Sequence, residues 1–152
     1  MPDLDGLQIL FVVSAFLFQL VLIAHFALRR WRFRVAIRYG WIVYALGLPA
    51  AAVSVWLLLG GAPWSLWAGG FVFLVWAAYG YTVEYARGIQ WRSPILWPVF
   101  GPYVVLYLAT VMFYWWPLAL VWKPLWYAAA VLFVVGTVLN VASHGGPRQQ
   151  EG

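Results

Sequence analysis

The stretch LQILFVVSAFLFQLVLIAHFAL, Leu7 to Leu28, has only Gln8, Ser14, Gln19 and His25 as polar interruptions. A helix that crosses a bilayer needs about 20 largely apolar residues, so this run is long enough to span. It is too long for the apolar core of a secretory signal, and the preceding MPDLDG carries Asp3 and Asp5 where a signal would carry basic residues. The sequence therefore predicts an uncleaved first span. Backbone groups in hydrocarbon must be paired within a helix or a closed barrel. The apolar runs here do not alternate and are too long for barrel strands of roughly ten residues.

The rest of the chain has the same character. Of its 152 residues 66% are hydrophobic and 9% charged, against about 25% charged in a soluble domain. Four further spans are expected, at about 41–59, 65–84, 94–116 and 125–143, in one polytopic domain covering 1–152. The connections RRWRFRVAIRYG, GGAPW, YARGIQWRS and PLALVWKP leave no room for a soluble domain. The fold class is thus an all-α integral membrane protein, a bundle of five transmembrane helices. A net charge of +5 could suggest nucleic acid, but five of the nine basic residues crowd into Arg29 to Arg38 beside apolar spans. Lipid headgroups account for that placement, and no nucleic-acid partner is expected.

Basic residues flanking spans stay on the cytoplasmic side. Arg29, Arg30, Arg32, Arg34, Arg38, Arg87, Arg92 and Arg148 fall on one side of the five-span arrangement, and Lys123 alone on the other. This predicts an outside N-terminus, a cytoplasmic C-terminus and residence in the plasma (inner) membrane. Trp31, Trp41 and Trp91 then mark the inner interface, and Trp64, Trp67, Trp115, Trp116, Trp122 and Trp126 the outer one, where an amphipathic ring is favoured.

Small residues let membrane helices approach closely. Gly47 with Ala51 and Ala50 with Ser54 supply them in span two, and Gly69, Gly70, Ala77, Ala78 and Gly80 in span three. Pro49 removes a hydrogen bond to the preceding turn and predicts a kink. Span four opens with SPILWPVFGPY, which places Pro94, Pro98 and Pro102 at intervals of four with Gly101 beside the last. Pro94 fits the first helical position behind Ser93, whereas Pro98 and Pro102 are expected to leave the carbonyls of Pro94 and Pro98 unpaired. The result is either a wetted, kinked entry turn or a broken helix lining a cavity.

Glu84 is the one carboxylate between Asp5 and Glu151. It sits at the inner end of span three, three residues before Arg87 and four before Gly88, a residue suited to terminate a helix. One reading is an interfacial pair with Arg87. The other starts from His25, in the last turn of span one, and His144, at the end of span five, both at the same depth as Glu84. If the three spans converge, these residues form a proton-transfer group, a ligand-binding cluster or a two-His-one-carboxylate metal site. Tyr81 and Trp97 join the ligand-binding candidates at that end, while Gln19 and Asn140 lie deeper and suit interhelical hydrogen bonds.

Several chemistries lack their parts. There is no Cys for a thiol nucleophile or cluster, no intramembrane Lys for a Schiff base, no Walker or dinucleotide glycine pattern, and no pair of intramembrane carboxylates. Ser14, Ser54 and Ser65 have no base nearby in sequence, which argues against a hydrolase. Five spans, this length and abundant Trp resemble the tryptophan-rich sensory proteins related to the translocator protein, which bind porphyrins and sterols. The paired-proline WxPP motif of that family's first loop is missing from residues 29–40, so no binding residue is carried over. The sequence leads to the expectation of a non-enzymatic protein that binds or transports a small apolar or aromatic molecule in an aromatic-lined cavity between helices. The alternatives are a structural subunit, as a homo-oligomer or within a larger membrane complex, and a haem- or metal-binding protein using the inner His residues. No cofactor is specified.

Overall fold

The computed structural model describes residues 3–91 and 94–144, the His144 side chain excepted. These residues are helical, with no strand. Helix α1 (Gly6–Trp31) starts at a capping box in which the Asp5 carboxylate accepts from the Gln8 backbone N–H and the Gln8 side chain accepts from that of Asp5. It ends with Arg29 and Arg30 in its last turn, where cations meet the negative end of the helix dipole.

Helices α2 (Phe33–Tyr39), α3 (Trp41–Ala45) and α4 (Gly47–Leu59) form the second span, interrupted at Gly40 and Leu46. The second interruption has a covalent cause: Pro49 has no N–H to offer the Ala45 carbonyl. The third span is α5 (Trp64–Tyr81), extended by a π-helical turn at Thr82–Ala86. The fourth and fifth are α6 (Trp97–Val121) and α7 (Lys123–His144). Five helices, Gly6–Trp31, Phe33–Leu59, Trp64–Ala86, Trp97–Val121 and Lys123–Ser143, are long and apolar enough to cross a membrane. The chain is accordingly a multi-pass membrane protein.

The boundaries differ from expectation where proline was read as interior. Span four starts at Trp97, not at residue 94, so Pro98 falls in the first turn, where its N–H would have had no partner. The carbonyl of Pro94 is therefore outside the helix and loses nothing to Pro98. Only Pro102 and Pro117 lie inside α6, which continues past residue 116 to Val121. Span two begins at Phe33 instead of residue 41, because the arginines of α2 are carried on a helix.

The spans neighbour one another in the order α4, α5, α6, α7, α1, and α1 returns to α4. Their shared interior is aromatic, with Phe18 against Phe73 at 4.9 Å and against Tyr114 at 5.0 Å between ring centroids. The closest backbone approach joins α4 to α5. A Cβ on Gly70 would collide with the Ser54 hydroxyl and the Ala50 carbonyl, and one on Gly47 would come within 2.8 Å of the Ala77 methyl. These are the small-residue pairings that a bundle without a hydrophobic driving force between helices requires. Leu48, Leu59, Val105, Val131 and Val138 turn outward, as side chains facing lipid do.

Gly70→Ala should lower the thermal unfolding midpoint in detergent, by the equivalent of about 1–3 kcal/mol, because a new methyl has nowhere to go at a helix contact. Gly101→Ala, whose added Cβ would meet nothing within 4 Å, should leave it unchanged or slightly raised. Equal midpoints for the two variants would show that α4 and α5 do not pack this closely.

Candidate functional site

At the arginine-rich end of the bundle the helices separate around two cavities. The one nearer the end, of about 610 Å³, is bordered by His25 and Arg29 of α1, Gly40, the π-turn residues Glu84 and Tyr85, and Trp91. The other, of about 560 Å³, reaches deeper, to Leu22, Trp76, Tyr107 and Asn140. His25, Arg29, Tyr44 and Trp91 line both, so they are lobes of one region. The lobe at the mouth gathers the charged and polar groups. The deep lobe is walled by Tyr44, Trp76, Trp91, Phe100, Tyr103 and Tyr107.

The π turn explains how Glu84 comes to face this space. Gly88 holds φ +57°, a left-handed conformation that ends the helix, and the Ile89 N–H returns across it to the Val83 carbonyl at 2.9 Å. The Arg87 N–H bonds to the Thr82 carbonyl, five residues back, at 2.9 Å. A turn closed over five residues advances each side chain by less than the α-helical ~100°, so residues three apart no longer share a face. Arg87 is exposed, and the Glu84 carboxylate turns to Tyr44, whose hydroxyl donates to Oε2 at 2.9 Å. The expected helix-end pairing of Glu84 with Arg87 is replaced by a hydrogen bond that joins span three to span two.

Tyr44 also meets the Tyr103 hydroxyl at 3.1 Å. A phenol has one proton, and that of Tyr44 is directed to Glu84, so Tyr103 donates to Tyr44. The polarity is thus Tyr103 to Tyr44 to Glu84, one residue from each of spans four, two and three. Gly80 makes this possible: a Cβ there would overlap the Tyr44 ring, with the ring Cζ at 2.8 Å and the hydroxyl at 3.0 Å. Gly40 has a similar role at the mouth, where an added Cβ would sit 2.7 Å from the Tyr85 hydroxyl and 3.5 Å from His25 Cε1. The Tyr79 hydroxyl donates to the Val99 carbonyl at 3.1 Å and pins the first turn of α6 to α5.

Of the residues singled out from sequence, the structure brings His25 and Glu84 to one cavity. His144 closes α7, but its side chain lies outside the described residues, as do Arg92, Ser93 and Arg148. Tyr81 and Trp97 are elsewhere: Tyr81 is 47% exposed and stacks on Tyr85, and Trp97 is 69% exposed against the edge of Phe100. Pro98, Gly101 and Pro102 are absent from the lining of both lobes, although Phe100 and Tyr103 beside them contribute. Trp91, expected at the interface, is 3% exposed and packs on Tyr103 at 4.8 Å. It is a cavity wall. Tyr44, Arg29 and Asn140 complete the site. Tyr44 could have been found from its depth, four residues beyond Gly40 on the span opposite Glu84. Among the described residues no three His, Asp or Glu side chains gather as a metal would need.

No protein-family model, curated protein or solved structure matches this chain.

Tyr44→Phe should destabilise the bundle by about 1–3 kcal/mol, since it removes a donor to a charged acceptor. Glu84→Gln should cost less, because the amide oxygen still accepts. The double variant should be less destabilised than the sum of the two, as residues in one network are. Strict additivity in denaturant titrations would separate Tyr44 from Glu84.

Proposed function

We propose that the chain is a non-enzymatic membrane protein that binds a small amphiphile in this two-lobed cavity. An apolar or aromatic body would occupy the deep lobe, and a polar end would meet His25, Arg29 and Glu84 at the mouth. The observation that carries the reading is the division of one region into an aromatic interior and a polar entrance. Ligand sites are commonly apolar clefts of roughly 300–1,000 Å³ with a few placed polar groups, and both lobes fall in that range. The hydrogen bonds from Tyr103 to Tyr44 and Tyr44 to Glu84 tie three spans to one another beside it. This favours a preformed site over one that a ligand must assemble.

The arginine-rich end is the cytoplasmic side in this proposal, in the plasma (inner) membrane, because flanking Arg and Lys are retained there. The ligand would then enter from the cytoplasmic leaflet or its surface. In this otherwise cysteine-free chain, single cysteines at Asp5 and Ala62 should react with an impermeant maleimide in intact cells. One at Ala86 should react only after permeabilisation. Labelling of Ala86→Cys in intact cells would invert the arrangement.

Native mass spectrometry of the protein extracted from its own membrane tests the ligand reading. A retained small molecule is expected in the wild type, and Val104→Trp, which fills the deep lobe from α6, should lose it without loss of the fold. A wild type that carries no small molecule and runs with a stoichiometric larger chain would replace this reading with that of a complex subunit. A bound metal or haem would replace it with the metal reading.

A further inference from the structure

Two neutral polar side chains, Tyr107 of α6 and Asn140 of α7, line the deep lobe and make no hydrogen bond to any described residue. The Ser143 hydroxyl donates to Asn140, but to its backbone carbonyl. Both side chains are half-buried. Among the described residues, the side-chain atoms shut into the packing without a partner are Arg29 Nε and Trp76 Nε1. The Tyr107 hydroxyl and the Asn140 carboxamide are not closed off in that way and keep open surface. The fold turns that surface inward. Trp126, Phe133 and Asn140 recur every two turns along one stripe of α7, and the first two stack on Trp115 of α6. Tyr107 follows Tyr103 by one turn, and its ring lies 5.7 Å from that of Trp76, which is buried inside the bundle. Ser14 and Thr110 meet the same hydrocarbon by turning their hydroxyls back to the carbonyls of Leu10 and Leu106. A phenol is too long for that return, and polar groups at this depth need partners.

We infer that the deep lobe takes an aromatic ring bearing a hydroxyl group, which accepts from the Tyr107 O–H and donates to the Asn140 carboxamide oxygen. The inference deepens the ligand-binding reading above and rests on it. A phenol and a carboxamide each give and accept hydrogen bonds, and a hydroxyl is the smallest neutral group that can answer both at once. A purely apolar ring would leave the two side chains without partners. An anion would be drawn instead to Arg29 and His25, which stand at the waist shared by the lobes, and a cation to Glu84 at the mouth. No carboxylate or Lys lines the deep lobe among the described residues, so its far wall suits an uncharged group. The rings of Trp76, Phe100, Tyr103 and Tyr107 border the same space and favour a flat aromatic body, which gains by stacking or edge contact on each.

The test uses the purified full chain in detergent, titrated calorimetrically with 2-naphthol and with naphthalene. Both compounds enter micelles, so each is compared between wild type and variant, where that partition is the same. Tyr107→Phe and Asn140→Leu keep the bulk of the side chain and remove its polar atoms. Each should weaken 2-naphthol by about three- to tenfold, the range expected for one hydrogen bond, and leave naphthalene unchanged. A second readout uses wild type alone. Asn140 is the single asparagine of the chain, so labelling asparagine nitrogens isolates its carboxamide in a proton–nitrogen spectrum. The two compounds have the same ring system and similar ring currents, and the carboxamide signals should differ between them by the change that a hydrogen bond adds. Equal losses for both compounds in the variants, unchanged 2-naphthol affinity, or identical Asn140 signals with the two compounds would overturn the hydroxyl assignment while leaving a ligand cavity standing. Failure of both compounds to bind wild type would overturn the assignment and remove the ligand-binding reading with it.

Discussion

The hydroxyl of Tyr44 is the point on which the arginine-rich end of this bundle depends. It lies between Glu84 at 2.9 Å and Tyr103 at 3.1 Å, and so ties span two to spans three and four in a medium where an unpaired carboxylate or phenol is expensive. The ring that carries it fits only because residue 80 is glycine. The carboxylate reaches it only because span three ends in a π turn. Each feature would be a defect alone: a glycine in a helix, a widened turn, a charge near hydrocarbon. Together they hold the helices far enough apart to leave space between them.

That separation has a counterweight farther along the same helices. Near the middle of spans two and three the backbones approach until Gly70 touches Ser54 and Ala50, and α6 packs along α5 on its other side. A bundle pinched at mid-depth and propped open at one end is a cup. Its rim is formed by α1, the π turn and the segment through Trp91, and its floor by Leu22, Trp76 and Tyr107. The opening faces the arginine-rich end, where the helices are broken or begin at Gly40, Gly88, Pro94 and Pro98. The opposite end carries the stacked pair Trp115 and Trp126, with Trp115 Nε1 donating to the Trp126 carbonyl at 3.1 Å.

Much of this was legible in the sequence for a simple reason. Hydrocarbon admits few backbone solutions, so runs such as Leu7 to Leu28 fix the number and kind of elements almost without regard to neighbours. The small residues at 47, 50, 54 and 70 were readable by the same logic, and they meet as expected. What failed was local reading where two rules competed. Glu84 and Arg87 have the spacing of an α-helical pair, but Gly88 imposes a terminus that widens the turn and changes which residue the carboxylate meets. Pro98 looked like a helix interior because the apolar run begins earlier, yet the helix starts where proline costs nothing. Tyr81 and Trp97 shared the right depth with the site but not the right face, and depth is all that a residue's position along a span can give.

Trp91 shows why the site itself was less legible than the fold. A tryptophan near Arg87 and Arg92 reads as an interfacial anchor, since an indole ring gains there whatever lies inside the bundle. Its burial depends on the chain doubling back after Gly88, so that Leu96 N–H reaches the Trp91 carbonyl at 3.0 Å and the ring lies on Tyr103. No periodicity encodes a return of that kind, because residues 88–91 lie in neither helix nor strand. Hydrophobicity decided which parts of this chain are helices. The shape of the cavity was set by the places where helices stop, and those stops are written in single glycines and prolines whose consequences appear only once the neighbouring spans are in place.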